Sequence, residues 1–494
     1  MLKHIYVLLV VILNIVFVVL IMLEQKEKLV NVVSIFSNAD KSRTFNFSSG
    51  NLGSIPIRNQ GWRIFLSDQN LAEYSYIDYL WMSIKLLIPY KNVIILSRSL
   101  LRKILNTSYS NKNKITMLSL GGGEAGTDPY FGSLPALVLV NYLKIVPGFK
   151  IKSKSYNFVE SQISIFTLIK LFILSPFVGS YFLAKLYSSA ISIENKRIRK
   201  LFIILALNEI GNGAAINQYI LVKGLIRHLR LNNGGVILYP MEGRNWEKLL
   251  NENRIYLGAK CIGYLHCAIT PKHCSLLFPG LTRPVEWPDI SIAPGEMPYV
   301  LLKKIHPDVS IRKGYFLRGN PAPANASGGE IKAVVALTGD LSESLEVLQR
   351  FAEIPQKLFR SIGVRLNINA PSYRRLSSLV VELGFSLCDS RDLIRPEICF
   401  FRSSSVAVDY LRRGTAPVYI INNDIIDSNM FSLDRYLVIK SINLNCNFLG
   451  DFLKLFEDSQ ALAQAAKLKS ADYYLDQDFL ENDLRVFVTE VCDK

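Results

Sequence analysis

The densest group of reactive side chains in the sequence directly follows the apolar run at residues 235–239. A carboxylate such as Glu242 can accept a proton or a hydroxyl hydrogen bond, and Arg244 can pair with a carboxylate or a phosphate. The indole of Trp246 can stack on a sugar or pack beneath the loop. The alternative is a capped helix whose remaining charged side chains are solvated. The full group is Glu242, Arg244, Trp246, Glu247 and Lys248.

A glycine-rich loop follows the apolar run Ile115–Leu120 and has the spacing G-x-G-x-x-G at residues 121–126. A dinucleotide site of this kind also needs an acidic residue about 20 positions further on, and residues 141–150 contain none. Glycines also let a substrate approach the backbone closely, and the loop is a suitable place for a general base. The alternative is a glycine turn with solvated acids. The candidates are Glu124 as a catalytic base and Asp128 and Tyr130 as acceptor contacts.

A histidine, His266, follows the apolar run at residues 260–265 and is expected on the same side of the fold as Glu242. Its imidazole could hold a phosphate or a carboxylate, or shuttle a proton. A buried histidine with satisfied hydrogen bonds is the alternative. The neighbouring thiols and imidazoles have a spacing that matches no zinc pattern, so we predict no metal site. These neighbours are Cys261, Cys267, His273 and Cys274.

Three consecutive serines stand between the apolar run at residues 397–401 and a predicted helix at residues 406–413. Hydroxyls and free backbone N–H groups at a helix N-terminus form a phosphate site. Serine is also a good helix N-cap, which is the alternative. A second loop, after residues 332–337, could touch the same ligand. The candidate donor contacts are Ser403, Ser404, Ser405, Thr338 and Gly339.

The candidate site residues must be positioned by the elements around them. The sequence contains two sets of short apolar runs, and each run leads into a loop and a helix. Such alternation is typical of parallel βαβ units. The sequence therefore predicts an α/β fold with two Rossmann-like lobes, joined by the Pro- and Gly-rich linker at residues 318–330. Ligands of open α/β sheets bind beyond the carboxyl ends of the strands, so a cleft between the lobes should hold the candidates. The predicted strands are 115–120, 235–239, 260–265 and 289–293, then 332–337, 364–368, 397–401 and 417–421.

An uncharged apolar run at residues 5–23 has the length of a transmembrane helix. It is longer than the core of a signal peptide, and no small-residue cleavage site follows it. Basic residues within about 20 positions are more numerous after the run than before it, which places the bulk of the chain on the cytoplasmic side. We predict a single-pass protein of the inner (cytoplasmic) membrane. A buried core helix or strand is the alternative.

A second apolar stretch, residues 163–190, is interrupted by Lys170, Pro176, Gly179 and Lys185. These interruptions favour a pair of interfacial helices that rest on lipid headgroups over a membrane span. Four basic residues follow at once, between 196 and 200, as expected for contact with anionic lipid. Ordinary core helices of the first lobe are the alternative.

The chain of 494 residues carries a net charge of +16, which favours polyanionic partners. Membrane lipids and phosphate-bearing substrates fit better than nucleic acid, because no compact basic and aromatic module is visible. Seven scattered cysteines fit a reducing compartment. The expected domains are a transmembrane anchor at 1–30, a helical extension at 31–110, the first lobe at 111–320 with membrane-contacting helices at 163–200, the second lobe at 331–440, and C-terminal helices at 441–494 that pack back on the first lobe.

The order of these motifs resembles that of bacterial surface-carbohydrate glycosyltransferases of the GT-B fold, and more distantly the polysialyl- and Kdo-transferases. The resemblance covers roughly residues 110–425, and the single motifs are loose while their order is more specific. Asp409 stands at the position of the expected acid on the last helix, where its neighbours Arg412 and Arg413 depart from the pattern. The stretches that carry the resemblance are 121–132, 239–248, 263–266, 288–295 and 401–420.

The resemblance implies inverting transfer of a sugar from a nucleotide-activated donor to a surface polysaccharide or a lipid-linked glycan. Glu124 or Glu242 would act as base, the serines would hold the donor phosphate, and His266 or Arg244 would add positive charge. No cofactor and no obligatory metal is expected, and a CMP-sugar is the slightly favoured donor. The alternatives are a non-catalytic GT-B-like membrane scaffold that binds glycan or partner enzymes and, less favoured, a nucleotide-sugar epimerase.

Overall fold

A computed structural model describes the parts of the chain that form the two sheets and their helices. The predicted anchor at residues 5–23, the extension as far as residue 79 and the linker at 318–330 lie outside the described residues. Among the helices that are described, none is long and apolar enough to cross a membrane. The described residues are 80, 83–84, 90–105, 115–120, 128, 131, 141–145, 157–211, 213–266, 269, 273–277, 282–315, 331–338, 341–366, 373–388, 395–402, 406–422, 439–467 and 489–490.

The first sheet is parallel throughout and has the strand order β3-β2-β1-β4-β5-β6-β7. Its central strands are buried on both faces, which explains why they appear in the sequence as continuous apolar runs. Leu118 pairs in register with Leu143, and Leu238 with Ile262. The strands are β1 (Ile115–Leu120), β2 (Asn141–Ile145), β3 (Asn157–Phe158), β4 (Gly235–Pro240), β5 (Ala259–Tyr264), β6 (Ile290–Ala293) and β7 (Ile311–Lys313).

The second sheet is also parallel, with the order β10-β9-β8-β11-β12-β13. Phe400 pairs in register with Val335 on one side and with Val418 on the other. The strands are β8 (Ala333–Ala336), β9 (Ile362–Arg365), β10 (Ser386–Cys388), β11 (Ile398–Phe401), β12 (Ala416–Ile421) and β13 (Lys440–Asn443).

Twelve α-helices are described alongside these strands, and they cover the faces of the sheets. Met297, on the last helix of the first lobe, packs among second-lobe residues that include Val334 and Phe401, so this helix links the two cores. The helices are α1 (Tyr90–Leu105), α2 (Ile165–Ile191), α3 (Lys196–Gly211), α4 (Ala214–Leu231), α5 (Asn245–Asn253), α6 (Cys274–Leu277), α7 (Glu296–Ile305), α8 (Leu341–Phe351), α9 (Tyr373–Glu382), α10 (Val406–Arg412), α11 (Phe448–Glu457) and α12 (Ser459–Lys467).

Each sheet has a topological switch point at the corresponding place in its strand order. In the first sheet the strand order reverses between β1 and β4, and in the second between β8 and β11. Open α/β sheets bind ligands in the crevice outside the carboxyl ends of the strands at this point. The two crevices therefore lie at the loops after β1 and β4 and at the loops after β8 and β11. Two parallel α/β lobes, as predicted from the sequence, are consistent with the GT-B fold.

Two expectations about the elements need correction. Residues 163–190 were expected to form two helices, but the backbone is helical without a break through α2, because packing against α1 and α3 outweighs the one hydrogen bond that Pro176 removes. The second lobe extends past residue 440, since β13 completes its sheet. The described helices of the C-terminal region, α11 and α12, pack in the apolar clusters of the second lobe, and Ala466 of α12 shares one of these clusters with Met297 of α7.

Candidate functional site

Three polar side chains from two neighbouring strands meet at the switch point of the first sheet. Glu242 lies in the loop between β4 and α5, and its Oε2 accepts a hydrogen bond of 2.6 Å from Arg244 Nε. Its Oε1 is 3.3 Å from Nε2 of His266, which directly follows β5 and Leu265. The carboxylate is 20% exposed and the histidine 6% exposed, so the pair borders solvent on the side of Glu242. The structure therefore places Glu242, Arg244 and His266 in one cluster.

A buried carboxyl group, that of Glu247, accepts hydrogen bonds from the backbone of the loop between β4 and α5. Its oxygens accept backbone N–H groups of Glu242, at 3.1 and 3.2 Å, and of Gly243, at 2.8 Å. Gly243 has φ +73°, a left-handed conformation that glycine adopts without strain. Burial, and then the nearby charge of Glu242, raise the pKa of Glu247 from 4.5 to about 8. The loop that presents Glu242 is thus fixed by a group that titrates near neutral pH.

Trp246 packs beneath the loop, which is the second of its two predicted roles. It is 1% exposed and meets the ring of Tyr239 edge-on, with centroids 5.4 Å apart. A side chain so enclosed has no face left for a sugar, so its assignment as an acceptor contact is wrong. Lys248 is buried as well, and burial lowers its pKa. The alternative of a helix with solvated Glu247 and Lys248 is therefore also excluded.

Asp128 was expected on an exposed loop as an acceptor contact, but its side chain is buried. It accepts the backbone N–H of Phe131 at 2.9 Å and the hydroxyls of Ser119 and Tyr142. The ammonium of Lys144 lies 3.9 Å away. Asp128 thus ties the end of the β1 loop to β1 and β2, and it supports that loop instead of facing a ligand. Glu124 and Tyr130, on the same loop, lie outside the described residues.

A buried ion pair underlies the switch point of the second sheet. Arg402 follows β11, and its Nε is 2.6 Å from Oε1 of Glu343 in the first turn of α8. The other carboxylate oxygen of Glu343 accepts the hydroxyl of Thr338, after β8, at 3.3 Å. Arg402 Nη1 also donates to the carbonyl of Ile420 on β12 at 3.1 Å. The pair therefore joins the loops after β8 and β11 to β12.

This ion pair was not predicted as part of the site. Its sequence signal was an arginine directly after a four-residue apolar strand, together with an acid in the first turn of α8. Thr338 lies in contact with the pair, as expected for a loop of the same crevice. Residues 403–405, which hold the three candidate serines, and Gly339 lie outside the described residues, so their roles stay predictions. Arg402 is the last described residue before the serines and has a fixed position.

The cluster of the first lobe has the parts of an acid–base site. Glu242 and His266 are close enough to share a proton, and both can contact a hydroxyl that enters from the exposed side. Arg244 adds a positive charge that is 34% exposed and can reach a phosphate. Within the described ranges, no group of three or more His, Cys, Asp or Glu side chains could hold a metal ion. Burial raises the pKa of the Cys261 thiol, so Cys261 is a poor metal ligand.

Comparisons with known proteins find similarity in structure only. No protein-family model matches the chain, and no curated protein matches its sequence. Among solved structures, Anabaena HepE in complex with UDP is 9% identical with a TM-score of 0.39, over 76% of this chain and 99% of that chain. Staphylococcus aureus MnaA with UDP is 10% identical with a TM-score of 0.43, over 76% and 97%. Acinetobacter baumannii MurG is 10% identical with a TM-score of 0.39, over 76% and 100%. Similarity at this level assigns no activity, and the fold rests on the strand orders described above.

Proposed function

We propose that this protein is a glycosyltransferase that moves a sugar from a nucleotide-activated donor to a hydroxyl of a surface polysaccharide or a lipid-linked glycan. The observation that carries the proposal is the cluster of Glu242, Arg244 and His266 at the switch point of the first sheet. A second switch point, built on the Arg402–Glu343 pair, includes Thr338 and directly precedes the predicted phosphate contacts at 403–405 in the sequence. Two crevices of this kind suit a two-substrate reaction in which each lobe binds one partner.

The proposed reaction is an inverting displacement. The acceptor oxygen forms a bond to the anomeric carbon while the bond between that carbon and the donor phosphate oxygen breaks. The proton of the acceptor hydroxyl passes to Glu242, which can share it with His266 and release it on its own solvent-facing side. The departing nucleotide takes the electron pair and is held by the hydroxyls and N–H groups of residues 403–405, with Thr338 and Gly339 beside them. Arg244 offsets negative charge near the reacting centre.

We take Glu242 as the base in this scheme because its carboxylate lies 3.3 Å from the imidazole of His266, and Glu124 stays the other candidate. No cofactor and no divalent ion is required in this scheme, since the helix terminus and the arginine supply positive charge. A CMP-sugar remains the slightly favoured donor. The acceptor is proposed to be a glycan, and nucleic acid is not expected to be a substrate.

The first test is a thermal-shift screen of the detergent-solubilised protein with CMP, UDP, GDP and dTDP, with and without magnesium. A ligand that binds only the folded state raises the melting temperature. We expect a shift with one nucleotide that Ser404→Ala abolishes. A protein that melts cooperatively and shifts with none of the four would refute the proposal and favour the non-catalytic scaffold.

The second test separates catalysis from binding. Glu242→Gln should lower sugar transfer by about 10²–10⁴-fold while the nucleotide shift is retained. Glu353→Gln, the same change at an exposed carboxylate of the second lobe, is the matched control and should leave transfer unchanged. Equal transfer by Glu242→Gln and the unchanged protein would remove Glu242 as the base and point to Glu124.

We further propose that the protein is held in the cytoplasmic membrane by residues 5–23, with both lobes on the cytoplasmic side. The support is the length of the apolar run and the excess of basic residues after it. Cys446 is exposed and can be labelled. A membrane-impermeant maleimide should label Cys446 only after spheroplasts are lysed, and labelling of intact spheroplasts would reverse the orientation.

A further inference from the structure

Helix α2 presents a row of large apolar side chains to solvent along one side. Phe166 is 79% exposed, Ile173 64%, Phe177 70% and Ile191 74%. At 3.6 residues per turn these four positions fall within about 40° of one another around the helix axis. They therefore form a stripe on one side of α2, with three members between residues 166 and 177 and Ile191 at the C-terminal end of the helix.

The opposite side of α2 is buried, so the stripe points away from the first lobe. Leu168, Leu186 and Ala190 are each at most 2% exposed. Leu168 packs with Leu96 of α1 and with Ile216 of α4 in one apolar cluster. The helix therefore packs on the first lobe through its buried side, which holds the exposed stripe in a fixed position.

Helix α1, which packs beside α2, adds a second row of exposed apolar side chains. Monomeric proteins rarely expose an apolar patch larger than about 300–600 Å². With about 150–250 Å² for a large aromatic side chain, the α2 stripe alone exposes on the order of 500 Å². The row on α1 consists of Val93, Ile94, Leu101, Ile104 and Leu105.

The charges around the patch are almost all positive. Arg98 and Arg102 of α1 point inward and pair with Glu160, whereas the other basic residues described on α1, α2 and α3 reach solvent at least in part: Lys91, Lys103, Lys170, Lys196, Arg199 and Lys200. Lys170 is exposed beside the stripe, and Lys196 is exposed just beyond its end. Glu194 is the one exposed acid in the connection between α2 and α3. A surface that is apolar in the middle and basic around it is complementary to anionic headgroups over a hydrocarbon layer.

We propose that α1 and α2 form a docking face for an anionic lipid bilayer. Helix α2 lies parallel to the membrane, with its stripe at the boundary between headgroups and acyl chains, about 5–10 Å deep. Lys170 extends its ammonium to the phosphates while its methylenes stay on the apolar side. The first lobe thus meets the membrane through its own surface, whether or not residues 5–23 span the bilayer. The inference does not rest on the proposed transferase activity.

The test uses the full chain in vesicles that contain phosphatidylglycerol, with or without brominated lipid, which quenches tryptophan on contact. Phe177→Trp adds an indole on the stripe. Tyr256→Trp adds one at a position that is 87% exposed, just before β5, and serves as the matched control. The emission of the unchanged protein is subtracted, since the chain has four tryptophans of its own.

We expect brominated lipid to quench the added emission of Phe177→Trp and to leave that of Tyr256→Trp unchanged. Adding Lys170→Gln should lower the ratio of docked to undocked protein about fivefold, because one basic residue near an anionic surface contributes about 1 kcal/mol. Equal quenching at the two positions would overturn the proposal. The added indole of Phe177→Trp could also emit as a buried group without vesicles, in a protein that sediments as a dimer. That result would assign the face to a second copy of the chain instead.

A comparison of two lipid compositions tests the role of charge. Vesicles of phosphatidylcholine alone should quench Phe177→Trp less than vesicles with phosphatidylglycerol, and high salt should reduce the difference. Equal quenching in both kinds of vesicle would refute recognition of anionic lipid. Nucleotide binding, measured by thermal shift, should be the same in all these variants, so failure here is distinct from failure of the proposed function.

Discussion

Replacing Glu247 by glutamine should remove a large part of the pH dependence of stability in the first lobe. In the unfolded chain this carboxyl loses its proton near pH 4.5, and in the folded protein it keeps the proton until about pH 8. Between these values the folded state binds more protons, so its stability falls as pH rises. The stabilisation is fully present below pH 4.5 and is lost as pH passes through about 8.

The size of the effect follows from the two pKa values. Each unit of pKa difference corresponds to about 1.4 kcal/mol, so the loss across the window is at most about 5 kcal/mol. Glutamine keeps one acceptor oxygen for the backbone N–H groups of Glu242 and Gly243 but places a second donor beside them. That mismatch should cost about 1–2 kcal/mol at low pH. The variant should therefore be less stable than the unchanged protein at pH 5 and more stable at pH 8.

The assay is urea unfolding at four pH values from 5 to 8, followed by the fluorescence of Trp246 and Trp287, both buried in the first lobe. Glu353→Gln is the control for the same chemical change at an exposed carboxylate, and its curve should run parallel to that of the unchanged protein. If the curve of Glu247→Gln also runs parallel, with no crossing between pH 5 and 8, the raised pKa is refuted.

The other predictions concern the second ion pair, a close contact at the site and the role of metal. Glu343→Ala should destabilise the second lobe by about 3–5 kcal/mol, because it leaves Arg402 buried without its carboxylate. In urea unfolding, the double variant with Arg402→Leu should recover part of this loss. No recovery would contradict an ion pair between Glu343 and Arg402. Gly263→Ala should cost about 1–3 kcal/mol in unfolding free energy, since a Cβ there would lie 2.7 Å from Sδ of Met241 and 3.0 Å from Pro288; an unchanged melting temperature would show that Met241 moves freely. Removal of divalent ions with EDTA should leave sugar transfer intact, and loss of activity that magnesium restores would disprove the metal-free scheme.

Much of the fold could be predicted because central parallel strands are buried on both faces. Runs such as ITMLSL at Ile115–Leu120 are therefore mostly apolar, and they are visible without any alignment. Edge strands escaped prediction for the opposite reason. The strands β3, β7 and β13 are two to four residues long and contain polar or charged side chains, so nothing in their composition separates them from loops.

The sequence by itself determined two α/β lobes and the strand ends at which polar groups collect, because periodicity and burial constrain each short segment locally. Only the tertiary structure decided what each polar group does there. It enclosed Trp246 and Asp128, brought His266 within 3.3 Å of Glu242, and paired Arg402 with Glu343 across 59 positions of sequence. Burial and pairing depend on which elements become neighbours in space, and a pattern read along one chain does not contain those distances.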